Sequence, residues 1–127
     1  MKFLRIAIVT LLVSTVFVAC KKDDATIPSF KMEGTWDGKI GQNAEVPSGQ
    51  FKLNIKAGGN IERISSNSSV SATGSWNEED GIFTAIYFYS NGTVVDLTGT
   101  IDKTKNKLTG TWKNNGGEQG TFYVSKQ

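Results

Sequence analysis

From residue 33 to the C-terminus the chain alternates apolar and polar side chains in short runs, and no stretch sustains a helical period. Alternation with period two places successive side chains on opposite faces of a sheet. Eight runs carry it, at 34–41, 50–57, 60–65, 69–77, 81–90, 93–102, 107–114 and 120–126. Turn-forming pairs and clusters separate them: Gly58-Gly59, Asp80-Gly81, Asn91-Gly92, and the polar stretches 103–106 and 114–117. Connections this short join neighbouring strands as hairpins. The expected fold class is therefore all-β, an antiparallel up-and-down meander of about eight strands. Closing that meander into a small barrel buries its apolar face and leaves no open edge.

Parity assigns the inward face. Trp36 and Ile40 share one side, as do Phe51, Leu53 and Ile55. The same rule groups Val70, Ala72 and Trp76, then Val95, Leu97 and Ile101, then Leu108 and Trp112, then Phe122 and Val124. On the third strand Ile61 and Ile64 have opposite parity, so that strand defines its face poorly. If Asn91-Gly92 forms a two-residue turn, Ser90 faces Thr93, and Phe88, Ile86 and Ile82 point inward opposite Val95, Leu97 and Ile101. That register turns Phe83, Tyr87, Tyr89 and Val94 outward. An outward aromatic band predicts a partner surface, unless Phe30 and Met32 fold over it. The stretch 41–49, with Pro47, is the longest connection and predicts a lid over one barrel end.

An internal echo accompanies the strands. Gly34-Thr35-Trp36, Gly74-Ser75-Trp76 and Gly110-Thr111-Trp112 repeat one motif, with each glycine on the same face as its tryptophan. A small barrel alternates large and small inward residues to fit its taper. Two expectations for the interior stand side by side. Trp36, Trp76, Trp112, Phe51 and Phe122 either fill the barrel or line a ligand cavity, and inward glycines at 34, 38, 74, 99 and 110 favour open space.

The first twenty residues differ in kind. Lys2 and Arg5 precede an apolar run over 6–19, interrupted only by Thr10, Ser14 and Thr15. This run is shorter than the roughly 20 residues a spanning helix needs, and it fits a secretory signal peptide. Phe17-Val18-Ala19-Cys20 resembles the lipobox of bacterial lipoproteins. The resemblance implies cleavage before Cys20 and a thioether-linked diacylglycerol on its sulfur. It also implies a fatty acyl group such as palmitate on the new amino terminus. Acyl chains at about 0.8 kcal/mol per buried methylene hold a protein on a membrane. The expected location is the bacterial outer membrane, with membrane lipid as partner through acylated Cys20. Lys21-Lys22-Asp23-Asp24 resembles the tag that sends some lipoproteins to the cell surface, which favours surface exposure over a periplasm-facing orientation. The expected organisation is a signal peptide over 1–19, a lipidated cysteine and flexible tether over 20–32, and a barrel domain over 33–127.

Gly34-Thr35-Trp36 on the first strand resembles the Gly-x-Trp of the lipocalin-like, calycin-type barrels. That resemblance implies a basic residue from near the last strand packed over the tryptophan, here Lys126, and a small apolar or amphipathic ligand at the barrel mouth. The stretch 108–114 also resembles avidin-like barrels.

Composition narrows the chemistry. The chain holds 127 residues, 38% of them hydrophobic, which suits one domain of modest core. Lys2 and Arg5 account for the whole formal charge of +2, and from Cys20 onward twelve basic side chains balance twelve acidic ones. Such a balance offers no basic stripe for nucleic acid. One cysteine and no histidine leave the usual nucleophilic triads and metal-ligand sets without their parts. No catalytic residue, metal or cofactor is therefore expected, and the protein is read as a non-enzyme. An enzyme would need a pocket carboxylate such as Asp37 or Asp96. Glu78-Glu79-Asp80 reads as a solvated turn before a weak Ca²⁺ site. Arg63, the sole arginine after Cys20, reads either as an exposed strand residue or as an inward anchor for a carboxylate. The leading functional expectation is a membrane-anchored ligand-binding barrel. The alternative is a non-enzymatic interaction module, an inhibitor or accessory subunit of a surface complex, that docks through Phe83, Tyr87 and Tyr89.

Overall fold

A computed structural model describes residues 30–127. The expected signal peptide over 1–19, Cys20 and most of the expected tether over 20–32 lie outside the described residues. Eight strands follow one another: β1 (Gly34–Gln42), β2 (Gly49–Lys56), β3 (Asn60–Ile64), β4 (Val70–Glu79), β5 (Ile82–Phe88), β6 (Val94–Asp102), β7 (Lys107–Asn114) and β8 (Gln119–Lys126). Each pairs antiparallel with its chain neighbours, and β8 returns to β1 to close the ring. The architecture is an up-and-down β-barrel, as the alternation predicts.

The turns work through their special backbone positions. Asp80 and Gly81 both adopt positive φ, and Glu79 pairs with Ile82 across them. Two central residues of that kind match the strand twist of a two-residue hairpin. Between β5 and β6 the loop is one residue longer than expected. Tyr89 and Thr93 form the closing pair, and only Gly92 has positive φ. Three-residue loops of this form place a glycine in the left-handed region after the turn.

That extra residue shifts the register by one. Tyr87 faces Val95 and Phe88 faces Val94. A one-residue slip moves a strand's whole side-chain set to the other face. Phe83, Ala85 and Tyr87 are therefore inside, while Ile82 and Phe88 are about half exposed. The expected outward band of Phe83 and Tyr87 is overturned. Tyr89 shares their parity and stands half-buried at the rim.

Elsewhere the inward sets hold. Trp36, Phe51, Leu53, Ile55, Ala72, Val95, Leu97, Leu108, Phe122 and Val124 are buried. Val70 is the exception, half exposed although Ala72 is inside. Arg63 pairs with Ala72 but Ile64 pairs with Val70, so Ser71 is an extra residue that reverses the face. On the outer surface Thr84, Thr98, Thr111 and Thr121 stand in register across β5, β6, β7 and β8. These β-branched polar residues suit a pleated, hydrated face.

The inward glycines leave no holes. A Cβ on Gly74 would lie 1.8 Å from the Ile86 carbonyl oxygen, and one on Gly38 would lie 1.9 Å from that of Tyr123. On Gly110 it would meet the Thr98 carbonyl at 2.1 Å. The space belongs to the neighbouring strand's backbone, pulled close where the small barrel coils. The expectation that these glycines open a cavity is corrected accordingly.

One end of the barrel is closed by the chain that enters it. Met32 is buried and its carbonyl accepts the Trp36 indole N–H at 2.9 Å. Lys126 pairs with Trp36 in the β1–β8 register, and its ammonium donates to the Lys31 carbonyl at 2.6 Å. Met32 thus plugs this end instead of covering an outer band.

Candidate functional site

The opposite end is an open cup of about 360 Å³. Its wall is made of inward side chains at strand ends. Ile40 and Gln42 come from β1, Arg63 from β3, Tyr87 and Tyr89 from β5 and the residue after it. Thr93 and Val95 arrive at the start of β6, and Trp112 and Asn114 at the end of β7. Beneath them the interior is packed. Phe51 and Phe122 meet edge to face at 5.3 Å, and neither is more than 2% exposed. The barrel is filled through its middle and hollow only at this rim.

Larger hollows exist, of about 700 and 460 Å³, but they are grooves on the outside. Outward threonines, Asp96 and Lys113 wall them. Another of about 750 Å³ lies beside the 103–107 turn at the opposite end. The cup differs from them in lying at the barrel mouth, where inward aromatic, aliphatic and cationic side chains converge.

Arg63 is its most distinctive member. β3 brings it inward because Ile61 and Arg63 share parity before the β4 bulge. Its guanidinium donates to the carbonyls of Ile64 and Gln50, each at 2.9 Å. Its central carbon lies 4.6 Å from the Phe51 ring centroid, in cation–π range. Arg63 is thus an inward-facing, half-buried residue and not one of the exposed strand face.

Tyr87 and Tyr89 form the adjoining wall, with ring centroids 5.8 Å apart. The Tyr87 phenol is held well above its ordinary value, first by burial and then by Tyr89, while nearby Arg63 pulls it down. Ionising this phenol is therefore harder in the folded protein than in the unfolded chain. Stability from this source is constant below about pH 10 and is lost as pH rises further. Thermal melts across the alkaline range are expected to show the wild-type midpoint falling above about pH 10, and Tyr87→Phe falling less steeply. Superimposable profiles would contradict the burial of this phenol.

Of the expected ligand-contacting aromatics, only Trp112 lines the cup. Its indole N–H donates to the Gly41 carbonyl at 2.7 Å, which fixes the ring at the rim. Trp36, Phe51 and Phe122 belong to the packed core. Trp76 lies toward the closed end, its indole bonded to the Lys56 carbonyl at 2.8 Å and its ring stacked on Phe83. The 43–48 connection does not act as a lid. Its Asn43 amide is tied to the Gln119 carbonyl at 2.7 Å and Pro47 packs against Gly41. Asp37 and Asp96, the carboxylates an enzyme would have called on, line no part of the cup. Glu78 is paired with Lys103 at 3.4 Å, and among the described residues no three His, Cys, Asp or Glu side chains gather to hold a metal.

Arg63, Tyr87 and Tyr89 were the cup residues hardest to read from sequence. The available signal was the solitary arginine at the end of a strand that begins with an inward Ile61.

The fold and site define an eight-stranded antiparallel barrel, closed at one end and cupped at the other. Comparison with protein-family models, curated proteins and solved structures returned no match.

Proposed function

We propose that this protein is a lipid-anchored, non-catalytic barrel that binds one small apolar or amphipathic ligand in the cup. The observation that carries this reading is the cup itself. Its volume of about 360 Å³ falls in the range of small-molecule sites. It sets Ile40, Val95 and Trp112 against the polar ends of Arg63, Tyr87 and Tyr89. The pairing of Lys126 with Trp36 supports the lipocalin-like resemblance. The anchor at Cys20 and the outer-membrane, surface-exposed location are supported by the lipobox-like residues and the charged stretch after them. Lys31 and Met32 join the barrel at the end opposite the cup.

The interaction-module reading loses two of its three surface residues, because Phe83 and Tyr87 are at most 1% exposed, and keeps Tyr89 at the rim. A neutral fluorescent amphiphile, phenylnaphthylamine, tests the ligand-binding reading. Saturable binding at one dye per chain is expected, with energy transfer from tryptophan that weakens in Trp112→Phe. Thr93→Trp, which fills the cup from a half-buried rim position, should abolish the signal without unfolding the barrel. Dye binding that ignores both substitutions would place the ligand elsewhere, and no saturable binding would sink the proposal.

A further inference from the structure

The cup wall carries one cationic side chain and no acidic one. Arg63 is half-buried among inward side chains, where a charge without a counter-charge is costly. The Ile64 and Gln50 carbonyls take two of its N–H groups and the Phe51 ring covers one face. A guanidinium has more donors than these carbonyls use, and neither carbonyl nor ring brings a net negative charge. Among the described residues no carboxylate lies within ion-pair distance of Arg63. Of the acids at this barrel end, Glu118 is held by the amides of Gln42 at 2.6 Å and Asn114 at 3.2 Å, and Glu45 on the 43–48 connection is in neither of the ion pairs among the described residues.

Geometry adds a direction. β3 and β7 stand four strands apart in a ring of eight, so Arg63 and Trp112 occupy opposite sides of the cup. The Tyr87 and Tyr89 side chains lie between them on the wall, and their hydroxyls are further possible donors to an oxyanion. The two carbonyls and the Phe51 ring hold the guanidinium plane before any ligand arrives, which lowers the ordering cost of binding.

We propose that the cup selects an amphipathic anion: an oxyanion head, carboxylate or sulfonate in character, gripped by Arg63, with an apolar body laid against Trp112, Val95 and Ile40. This deepens the ligand-binding reading and rests on it. The competing account makes Arg63 a strap that joins the ends of β2 and β3 through Gln50 and Ile64.

A matched pair of dyes separates these accounts. Anilinonaphthalene sulfonate and phenylnaphthylamine share one ring system and differ by the sulfonate. Both are titrated into the purified full-length protein and its Arg63→Gln and Arg63→Lys variants, with circular dichroism recorded on each. The wild type should bind the sulfonate at least about tenfold more tightly than the neutral dye, as charge-assisted hydrogen bonds permit. Arg63→Gln should lose that preference, the ratio of sulfonate to neutral affinity falling about tenfold, and Arg63→Lys should keep part of it. If the wild type binds both dyes without preference, the anion proposal falls and the ligand-binding reading survives. Equal loss of both dyes in Arg63→Gln would make Arg63 a structural strap and likewise overturn the proposal. If the wild type binds neither dye, both readings fall together. Should Arg63→Gln not fold, the wild-type preference and its partial retention in Arg63→Lys decide the matter.

Discussion

Gly74→Ala is expected to lose at least about 3 kcal/mol of stability, the upper end of overpacking costs, and to melt well below the wild type. The added methyl carbon would sit 1.8 Å from the Ile86 carbonyl oxygen and 2.6 Å from the Tyr87 Cα. Both are backbone atoms in a paired strand, so no rotamer change relieves the overlap. Relief would need β5 to move away from β4, which breaks the ladder between Thr73–Phe88 and Glu79–Ile82. Domains of this size have only about 5–15 kcal/mol in total, so the loss is a large fraction. Gly81→Ala is the matched control. Its Cβ would meet nothing within 4 Å, and its φ of +81° costs an L-residue about 1–2 kcal/mol. Thermal melts of the two variants decide the point. If Gly74→Ala costs no more than Gly81→Ala, the close strand approach is wrong. Because β5 also carries Tyr87, any partly folded Gly74→Ala protein should have lost the cup as well.

Trp36→Ala is the second large effect, with a loss of about 3–5 kcal/mol, as for other buried aromatic truncations. The indole is fully buried and its N–H donates to the Met32 carbonyl. Its removal opens a cavity in the core and releases the bond that seats the entering chain against the barrel. Trp36→Phe keeps most of the volume and loses the hydrogen bond, so its cost should be about 1–2 kcal/mol. Urea unfolding followed by far-ultraviolet circular dichroism measures both. Equal costs for the two variants would show that the bond to Met32 carries the stability and that the buried volume does not. The binding cup lies at the other barrel end, so folded Trp36→Phe should bind the neutral dye as the wild type does.

The boundaries of the strands were legible to within two residues, and β7 coincides with its expected range. The reason is that turn chemistry is local. Asp80-Gly81 adopts its hairpin because both residues tolerate positive φ, and no distant contact is needed to see it. Parity was equally legible where only one face of a strand is apolar, as at Phe51-Leu53-Ile55.

β5 was illegible by parity because both of its faces are apolar. Ile82, Ile86 and Phe88 lie on one side, and Phe83, Ala85 and Tyr87 on the other. The choice then rested on one residue of turn length. The Asn91-Gly92 pair suggested a two-residue loop, but Tyr89 closes on Thr93. The preceding Asp80-Gly81 hairpin carried the correct information, since it sets Ala85 opposite the inward Trp76. That one slip created the supposed partner surface and hid half of the cup. Arg63 was obscured in a related way, by a β4 bulge that leaves Ile64 and Val70 outside while Arg63 and Ala72 stay in.

By itself the sequence determined an eight-stranded antiparallel meander, its closure, the places of its turns and most of its inward faces. Those follow from a period of two and from backbone preferences, which act between near neighbours in the chain. Only the tertiary structure decided that the barrel is packed through its middle and open at one rim. Whether a glycine leaves a hole or admits a neighbouring strand depends on distances across the barrel, and linear spacing does not contain them. The same is true of Arg63 and Trp112: they are 49 positions apart in sequence and share one cup because β8 pairs with β1 and closes the ring.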